Sequence, residues 1–341
     1  MELIKLILIS LLTFFLINHF LSKLNFLLDS KKSSFHKVFI EKDTKPPFSG
    51  GIFILLSLFF LIPNSEINFK IIIFLIFMTG FLSDIGKLKS ANLRFFIQVI
   101  IVLFSVITLD KYIHTTRWDF LDNLLDNYYF NIFFTSFCIL ILINGANFID
   151  GLNTIVIGYF LLILFFLNQF YINHDDYLLN HQFIIYLSII MFSILILNAF
   201  NLLYLGDNGA YLIAFFVGIL LIELSINTKN LSPYYIVNLL WYPTYENLFS
   251  IIRKTRNNKS ALKPDNLHLH QLIYLCINKN SNFSTKFTNT ISGLVINLFN
   301  LLVFTAAFQN YSNTKYQITL LIFSVVIYSF VYFILKKKFN K

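Results

Sequence analysis

Long apolar runs alternate with short polar or basic segments along the whole chain. Inside a run such as residues 71–77, apolar side chains follow one another directly, whereas strands of a membrane barrel alternate apolar and polar residues. The pattern therefore predicts helices, and a helix that crosses a bilayer needs about 20 mostly apolar residues. We predict eleven spans, at residues 3–22, 49–64, 69–84, 93–110, 129–144, 154–172, 181–199, 208–226, 234–252, 288–309 and 316–335.

Composition places the chain in the membrane class. Of its 341 residues 57% are hydrophobic and 13% are charged, and the mean hydropathy is +0.71, whereas soluble domains carry about 25% charged residues. The lipid core offers backbone groups no water, so helices are the expected spanning form. We predict an all-α, polytopic integral membrane protein, with residues 1–341 as one multi-span domain.

Lys-rich sequence follows the first apolar run without a small-residue cleavage site, so we expect a retained span rather than a removed signal peptide.

Positive charge is distributed unevenly between the two sets of connecting segments. Residues 23–48, 85–94, 253–287 and 336–341 hold 20 of the 26 Lys and Arg residues, and with eleven spans all four segments lie on one side. Because Lys and Arg stay on the cytoplasmic side, we expect an external N-terminus and a cytoplasmic C-terminus. The net charge of +9 is thus explained by topology and by the lipid bilayer as partner, and nucleic acid is not expected.

Polar and ionisable residues gather at the ends of the predicted spans, where contact with lipid costs free energy. Ionisable groups at membrane depth mark functional sites by default. Charge counting places all the clusters at cytoplasmic ends or loops. Four clusters stand out, at residues 80–87 with Arg94 and Gln98, 144–153, 204–209 and 264–270.

The residue types in these clusters suit phosphate and metal chemistry. Asn147, Asp150 and Asp207 offer the oxygen ligands that Mg²⁺ prefers, and Mg²⁺ typically takes one or two carboxylates plus substrate phosphates. The basic residues that could neutralise phosphate oxygens are Lys87, Arg94, Arg253 and Arg256. Each piece alone has an ordinary alternative: a helix cap for the acids, loop histidines for His268 and His270, and membrane anchors for the arginines. Four such clusters on one side favour a shared site.

The sequence resembles the polyprenyl-phosphate N-acetylhexosamine-1-phosphate transferases (glycosyltransferase family 4). The resemblance extends from residues 33–37 and 46–51 to the His268 segment. Its most specific parts are Asn-Phe-Ile-Asp-Gly at 147–151 and Leu-Gly-Asp-Asn-Gly at 205–209. Pro-Thr-Tyr-Glu at 243–246, with Arg253, Arg256, Pro264-Asp265 and His268, is similar to the glycan-priming branch rather than the lipid I branch.

The resemblance implies a reaction at the cytoplasmic face of the bacterial inner membrane. Undecaprenyl phosphate would attack the β-phosphate of a UDP-N-acetylhexosamine, by default UDP-N-acetylglucosamine, and release UMP to initiate a cell-surface, O-antigen-like glycan. Loops 23–48, 85–93, 145–153, 200–207 and 253–287 would form the active site. The resemblance leaves a homodimer possible.

The resemblance also implies roles for individual residues. Asn147 and Asp207 would bind Mg²⁺, or Mn²⁺ in its place. The expected catalytic residues are Asp84, Asp150, Asp207, His268 and His270. The expected substrate-binding residues are Lys87, Arg94, Asn153, Arg253 and Arg256.

Two positions depart from the family pattern. Ser83 precedes Asp84 where the family usually has a second Asp, and Gln271 stands where the priming branch commonly has a His. Three alternatives therefore remain: the same chemistry with another UDP-N-acetylhexosamine, a catalytically altered relative that binds lipid phosphate or nucleotide, and an unrelated transporter. Transporters use polar residues near the bilayer midplane and internal repeats, neither of which this pattern indicates.

Overall fold

The computed structural model describes residues 2–24, 27–28, 46–172, 181–256 and 267–339. Within these ranges the regular secondary structure is helical throughout. The helices are α1 (Glu2–Lys23), α2 (Gly50–Leu61), α3 (Ile67–Asp84), α4 (Ala91–Leu109), α5 (Asp119–Leu125), α6 (Tyr128–Ile149), α7 (Ile155–Tyr171), α8 (His181–Ala199), α9 (Gly206–Asn227), α10 (Pro233–Arg256), α11 (Leu269–Asn280), α12 (Thr285–Gln309) and α13 (Thr314–Phe339).

All eleven predicted segments are helical, and the all-α, polytopic fold is confirmed. Eight helices of the described chain are long and apolar enough to cross a membrane, namely α1, α3, α4, α6, α8, α9, α12 and α13. Two more, α2 and α7, are apolar but shorter, and α10 carries polar residues along much of its length. Eleven crossings and the orientation therefore stay predictions.

Two helices lie outside the predicted spans. Helix α5 lies between the predicted spans 93–110 and 129–144, and α11 lies within the predicted connecting segment 253–287. Helix α5 has 7 residues and α11 has 12, so both are too short to resemble a span. The predicted motif at 33–37 and the Pro264-Asp265 pair lie outside the described residues.

Helix α9 is the centre of the bundle. Of its most apolar stretch of 18 residues, 89% are buried, and the helix packs against α2, α3, α6 and α7. A helix that is apolar on all sides is expected at such a position. Of the corresponding 18-residue stretches of α1 and α13, only 11% and 17% are buried. These helices therefore lie at the periphery and offer apolar faces to lipid.

The two ends of the bundle have different polar contacts. At one end Arg117, with a φ of 56°, donates to the carbonyl groups of Ser312 and Leu231 at 2.9 and 3.0 Å, and so ties three connections together. Near the same end Lys111 forms an ion pair of 3.2 Å with the buried Glu223 of α9. The opposite end holds the C-terminus of α3, the C-terminus of α6 and the N-terminus of α9.

Candidate active site

Asp207 is the second residue of α9 and the centre of a polar cluster. Its Oδ1 accepts a hydrogen bond from the Asn147 side-chain amide at 2.7 Å. Its Oδ2 accepts from the Ser83 hydroxyl at 2.7 Å and from the Arg94 guanidinium at 2.8 Å. Arg94 also donates to the Ser83 hydroxyl. Residues from α3, α4 and α6 thus meet at one carboxylate. The resulting cluster includes both predicted metal ligands and one predicted phosphate-binding arginine.

The cluster is accessible from outside the protein. The Asp207 and Arg94 side chains are 26% and 23% exposed, whereas the following residue, Asn208, is fully buried. A soluble or headgroup-bound ligand can therefore reach the carboxylate, while the rest of the α9 N-terminus is fixed inside the bundle.

Asp84, the last residue of α3, holds the N-terminus of α9. Its Oδ1 accepts from the main-chain N–H of Asp207 at 3.1 Å, and its Oδ2 accepts from the main-chain N–H of Asn208 at 3.0 Å. The Asn208 side chain adds a bond of 2.7 Å. The first N–H groups of a helix have no partner within the helix and carry partial positive charge, so a carboxylate stabilises them. The positioning of Asp207 by Asp84 is a contact that sequence reasoning did not predict.

Gly80 allows α3 to approach α9 at this point. A Cβ atom there would overlap the backbone of Asp207 and Asn208. Gly206, at the start of α9, has a φ of +77°, a conformation that favours glycine. These two glycines therefore place the Asp84 carboxylate within reach of the α9 N-terminus.

A second polar cluster joins α10, α11 and α13. The buried Glu246 of α10 lies 2.8 Å from Nδ1 of His268, and its other oxygen accepts a hydrogen bond from the Tyr328 hydroxyl. The rings of His268 and His270 stack with centroids 5.4 Å apart and an angle of 11°. The side chain of Gln271 accepts from the main-chain N–H of His268 at 3.1 Å, which gives this departure from the family pattern a structural role.

The two clusters are neighbours. Phe148 directly follows Asn147 in α6, and its ring centroid lies 5.7 Å from that of His268. A Cβ atom on Gly151 would overlap the His270 ring, so the loop after α6 rests against α11. The structure therefore brings the predicted histidines next to the segment that carries Asn147 and Asp150.

Glu246 was missed as a candidate site residue, although it lies in the Pro-Thr-Tyr-Glu segment. A usable signal existed, because Glu246 is the only acidic residue of α10 and is buried. An acid among mostly uncharged residues at membrane depth requires a partner and indicates function by default.

Asp150 and Asn153 lie in the loop between α6 and α7. Both line a cavity of about 20 Å³, together with Tyr204 and Leu205 next to α9. The main-chain N–H of Asn153 donates to the Asn289 side chain at 2.7 Å, and its amide donates to the Asn201 side chain at 2.6 Å. Asn153 therefore has a clear role in holding this loop against α12.

The remaining basic candidates differ in environment. Arg253 is buried and donates to the main-chain carbonyl of Leu267 and to the Tyr332 hydroxyl, the latter at 2.8 Å, so it joins α10 to Leu267 and to α13. Lys87 and Arg256 are exposed, Lys87 in the turn after α3 and Arg256 at the end of α10. These two side chains are in a position to meet a ligand that arrives from solution.

The residues at Asp207 fit a magnesium ion bound mainly by its substrate. Among the described residues no group of three or more His, Cys, Asp or Glu side chains could hold a metal on its own. One carboxylate with an adjacent amide suits Mg²⁺, which keeps waters and takes its further ligands from phosphates. Arg94 already places a positive charge at Oδ2 of Asp207.

Comparison with known proteins gives a match to a family model. No curated protein matches the chain. The matching family model covers just under half of the chain and includes every residue of the Asp207 cluster, but none of Glu246, His268 and His270. It supports the resemblance drawn from the motifs, because residues 67–225 match the family described as Glycosyl transferase family 4.

Proposed function

We propose that the protein is a Mg²⁺-dependent transferase that moves N-acetylhexosamine-1-phosphate from a UDP-sugar to a polyprenyl phosphate and releases UMP. The observation that carries this proposal is the meeting of Asp207, Asn147 and Arg94 at one accessible end of a membrane bundle, within the segment that matches glycosyl transferase family 4. That family match supports phospho-sugar transfer as the reaction class.

The reaction would be a single displacement at phosphorus. An oxygen of the acceptor phosphate forms a bond to the β-phosphorus of the UDP-sugar, the bond between this phosphorus and the bridging oxygen breaks, and UMP leaves with that oxygen. The second pKa of a phosphate monoester is about 6, so the acceptor is mostly a dianion at neutral pH. Because the acceptor phosphate is already mostly deprotonated, the reaction needs no strong base. Ser83 in place of a second carboxylate is therefore compatible with turnover.

The chain's own groups would position the phosphates and balance their charge. Mg²⁺, held by Asp207 and Asn147, would neutralise charge on the donor diphosphate. Arg94 would hold the Asp207 carboxylate or turn to a phosphate oxygen, and the exposed Lys87 and Arg256 are suited to incoming phosphates. Asp84 would act by fixing Asp207. We assign Arg253 to holding α10 against Leu267 and α13.

The membrane setting supports a lipid acceptor. The prenyl tail stays in the bilayer while its phosphate meets a soluble nucleotide sugar at the end of the helices. Under the predicted topology this end is cytoplasmic, in the bacterial inner membrane, where UDP-sugars are available. UDP-N-acetylglucosamine as donor, the glycan-priming branch and initiation of a surface glycan are further parts of the proposal.

One observation favours a second candidate, a relative that binds ligands without turnover. The Asp207 carboxylate is already neutralised by Arg94 and hydrogen-bonded to Ser83, which leaves less negative charge for a metal than a site with two free acids. Such a protein would bind lipid phosphate or nucleotide and release no UMP.

Measurement of UMP release separates these candidates. The purified protein is incubated with undecaprenyl phosphate, Mg²⁺ and a panel of UDP-N-acetylhexosamines. We expect UMP release that requires all three components. A preparation that binds UDP and Mg²⁺ but releases no UMP with any donor would favour the binding-only relative. Asp207→Asn should reduce this release, and Asp119→Asn, which removes an exposed carboxylate from α5, is its matched control.

A further inference from the structure

We infer that Glu246 and Tyr328 are positioning residues that fix the ring of His268 for contact with the donor. This inference rests on the proposed function and adds to it a contact between His268 and the donor. It concerns the C-terminal part of the chain, because all three residues lie outside the segment that matches the family.

The Glu246 carboxylate is almost entirely inside the protein, with 1% of the residue exposed. A buried carboxylate is costly unless donors surround it. Here Nδ1 of His268 lies 2.8 Å from Oε1, and the Tyr328 hydroxyl donates to Oε2. An ionised carboxylate only accepts hydrogen bonds, so this arrangement places a proton on Nδ1 of His268.

A fixed proton on Nδ1 determines how the ring can be used. Since Nδ1 is committed to Glu246, a contact between the ring and a substrate is made through Nε2. In many sites a carboxylate sets the proton position and orientation of a histidine in this way. Glu246 therefore acts on a substrate through His268 rather than by touching it.

Ring contacts restrict His268 further. His270 stacks on it with centroids 5.4 Å apart, and Phe148 packs at 5.7 Å with an angle of 45°. Phe148 is next to Asn147, whose amide donates to Asp207 at 2.7 Å. The position of His268 is thereby linked to the Asp207 cluster through two consecutive residues of α6.

Tyr328 gives the peripheral helix α13 a part in the site. The apolar window of α13 is only 17% buried, yet Tyr328 is 2% exposed and reaches the Glu246 carboxylate. The carboxylate thus joins α10, α11 and α13 at one point, and Tyr328→Phe would leave Oε2 without this donor.

Glu246→Gln is the informative variant because it keeps the shape of the side chain. An amide has an oxygen that accepts and a nitrogen that donates, so it can pair with either tautomer of the His268 ring. Glutamine therefore no longer fixes the proton on Nδ1. The matched control is Tyr245→Phe, which removes the neighbouring α10–α13 hydrogen bond between Tyr245 and Ser329, at 2.9 Å, without touching His268.

The test combines kinetics, binding and spectroscopy on the full chain. We expect Glu246→Gln to lower kcat/KM for the UDP-sugar roughly 10–100-fold, the range found when a metal-binding histidine loses its carboxylate partner. Thermal unfolding of both variants shows how much folded protein each kinetic value refers to. In ¹⁵N-histidine NMR, the strongly hydrogen-bonded Nδ1 proton, assigned by its loss in His268→Gln, should shift or disappear in Glu246→Gln.

The inference is overturned if Glu246→Gln behaves like Tyr245→Phe in kinetics, or if the Nδ1 proton of His268 is unchanged. Its failure can be told apart from failure of the proposed function. If the unmodified protein releases no UMP with any donor, the proposed function fails. The Nδ1 signal and the affinity of Glu246→Gln for UDP-N-acetylglucosamine then still decide whether Glu246 positions His268.

Discussion

The carboxylate of Asp84 accepts a hydrogen bond from the main-chain N–H of Asp207 at 3.1 Å. Two acids that are far apart in sequence therefore have different tasks at one place. Asp84 binds the N-terminus of α9, and Asp207 presents its side chain to Asn147, Ser83 and Arg94. The partial positive charge of the helix N-terminus and the charge of Arg94 offset the repulsion between the two carboxylates.

Asp84→Asn should lower both stability and turnover. An asparagine side chain offers one acceptor where the carboxylate offers two, and its amide group would oppose the main-chain N–H donors of α9. We expect a loss of about 1–3 kcal/mol in stability, the usual cost of leaving a buried donor unpaired. Thermal unfolding of the purified protein and UMP release measure the two effects. Equal melting temperatures for Asp84→Asn and the control Asp119→Asn would contradict this role.

Gly80→Ala should separate α3 from α9. The added methyl group would overlap the backbone of Asp207 and Asn208, which cannot move as a flexible side chain does. Overpacking of this kind costs about 1–3 kcal/mol or more. Gly218→Ala in α9 is the control, since its Cβ would lie 3.3 Å from a Leu142 side-chain atom that can adjust. A melting temperature for Gly80→Ala at or above that of Gly218→Ala would speak against the close approach.

Much of this arrangement could be predicted from the sequence, because apolar runs determine where helices form. The positions of all eleven predicted segments, and the meeting of residues near 84, 147 and 207, follow from span lengths and from which ends are polar. The short helices α5 and α11 could not be predicted this way, since neither has the length of a span.

Individual side-chain roles were harder to predict. That Asp84 would pair with the N-terminus of α9 depends on the path of the chain between two helices more than 120 positions apart. From the sequence Arg253 is expected to be a membrane anchor or a phosphate ligand, yet its side chain is buried and donates to the carbonyl of Leu267. Glu246 could have been recognised as an isolated acid, whereas its partner Tyr328 is one of 18 tyrosines with no distinguishing pattern.

Ser83→Asp should make the protein more dependent on a divalent cation. The Ser83 hydroxyl donates to Asp207 at 2.7 Å, and a carboxylate there would replace this donor with a like charge. Without Mg²⁺ we expect a lower melting temperature, and with Mg²⁺ a larger stabilisation than the unmodified protein gains. Ser90→Asp is the control, because Ser90 caps α4 nearby and Asp also serves as a cap. The idea fails if both variants respond to Mg²⁺ alike.

Arg117→Lys should weaken the end of the bundle away from the site. The guanidinium donates to the carbonyl groups of Ser312 and Asn230 at 2.9 and 3.2 Å, and an ammonium cannot reproduce this forked contact. We expect a loss of about 0.5–1.5 kcal/mol in stability, because Arg117 is exposed and water can replace part of the contact, with unchanged affinity for UDP. Lys315→Gln, which alters an exposed charge at the same end, should have little effect. A loss of UDP affinity equal to that of a site variant would contradict the separation of the two ends.

The most direct test of the central claim is UMP release by the unmodified protein and by Asp207→Asn, with undecaprenyl phosphate, a UDP-N-acetylhexosamine and Mg²⁺. Asp207→Asn keeps the size of the side chain and removes the charge at the point where Asn147, Ser83 and Arg94 meet. We predict UMP release by the unmodified protein and a decrease of at least roughly 100-fold in the variant, a typical cost of removing a charge-stabilising group. Full turnover by Asp207→Asn would contradict the account.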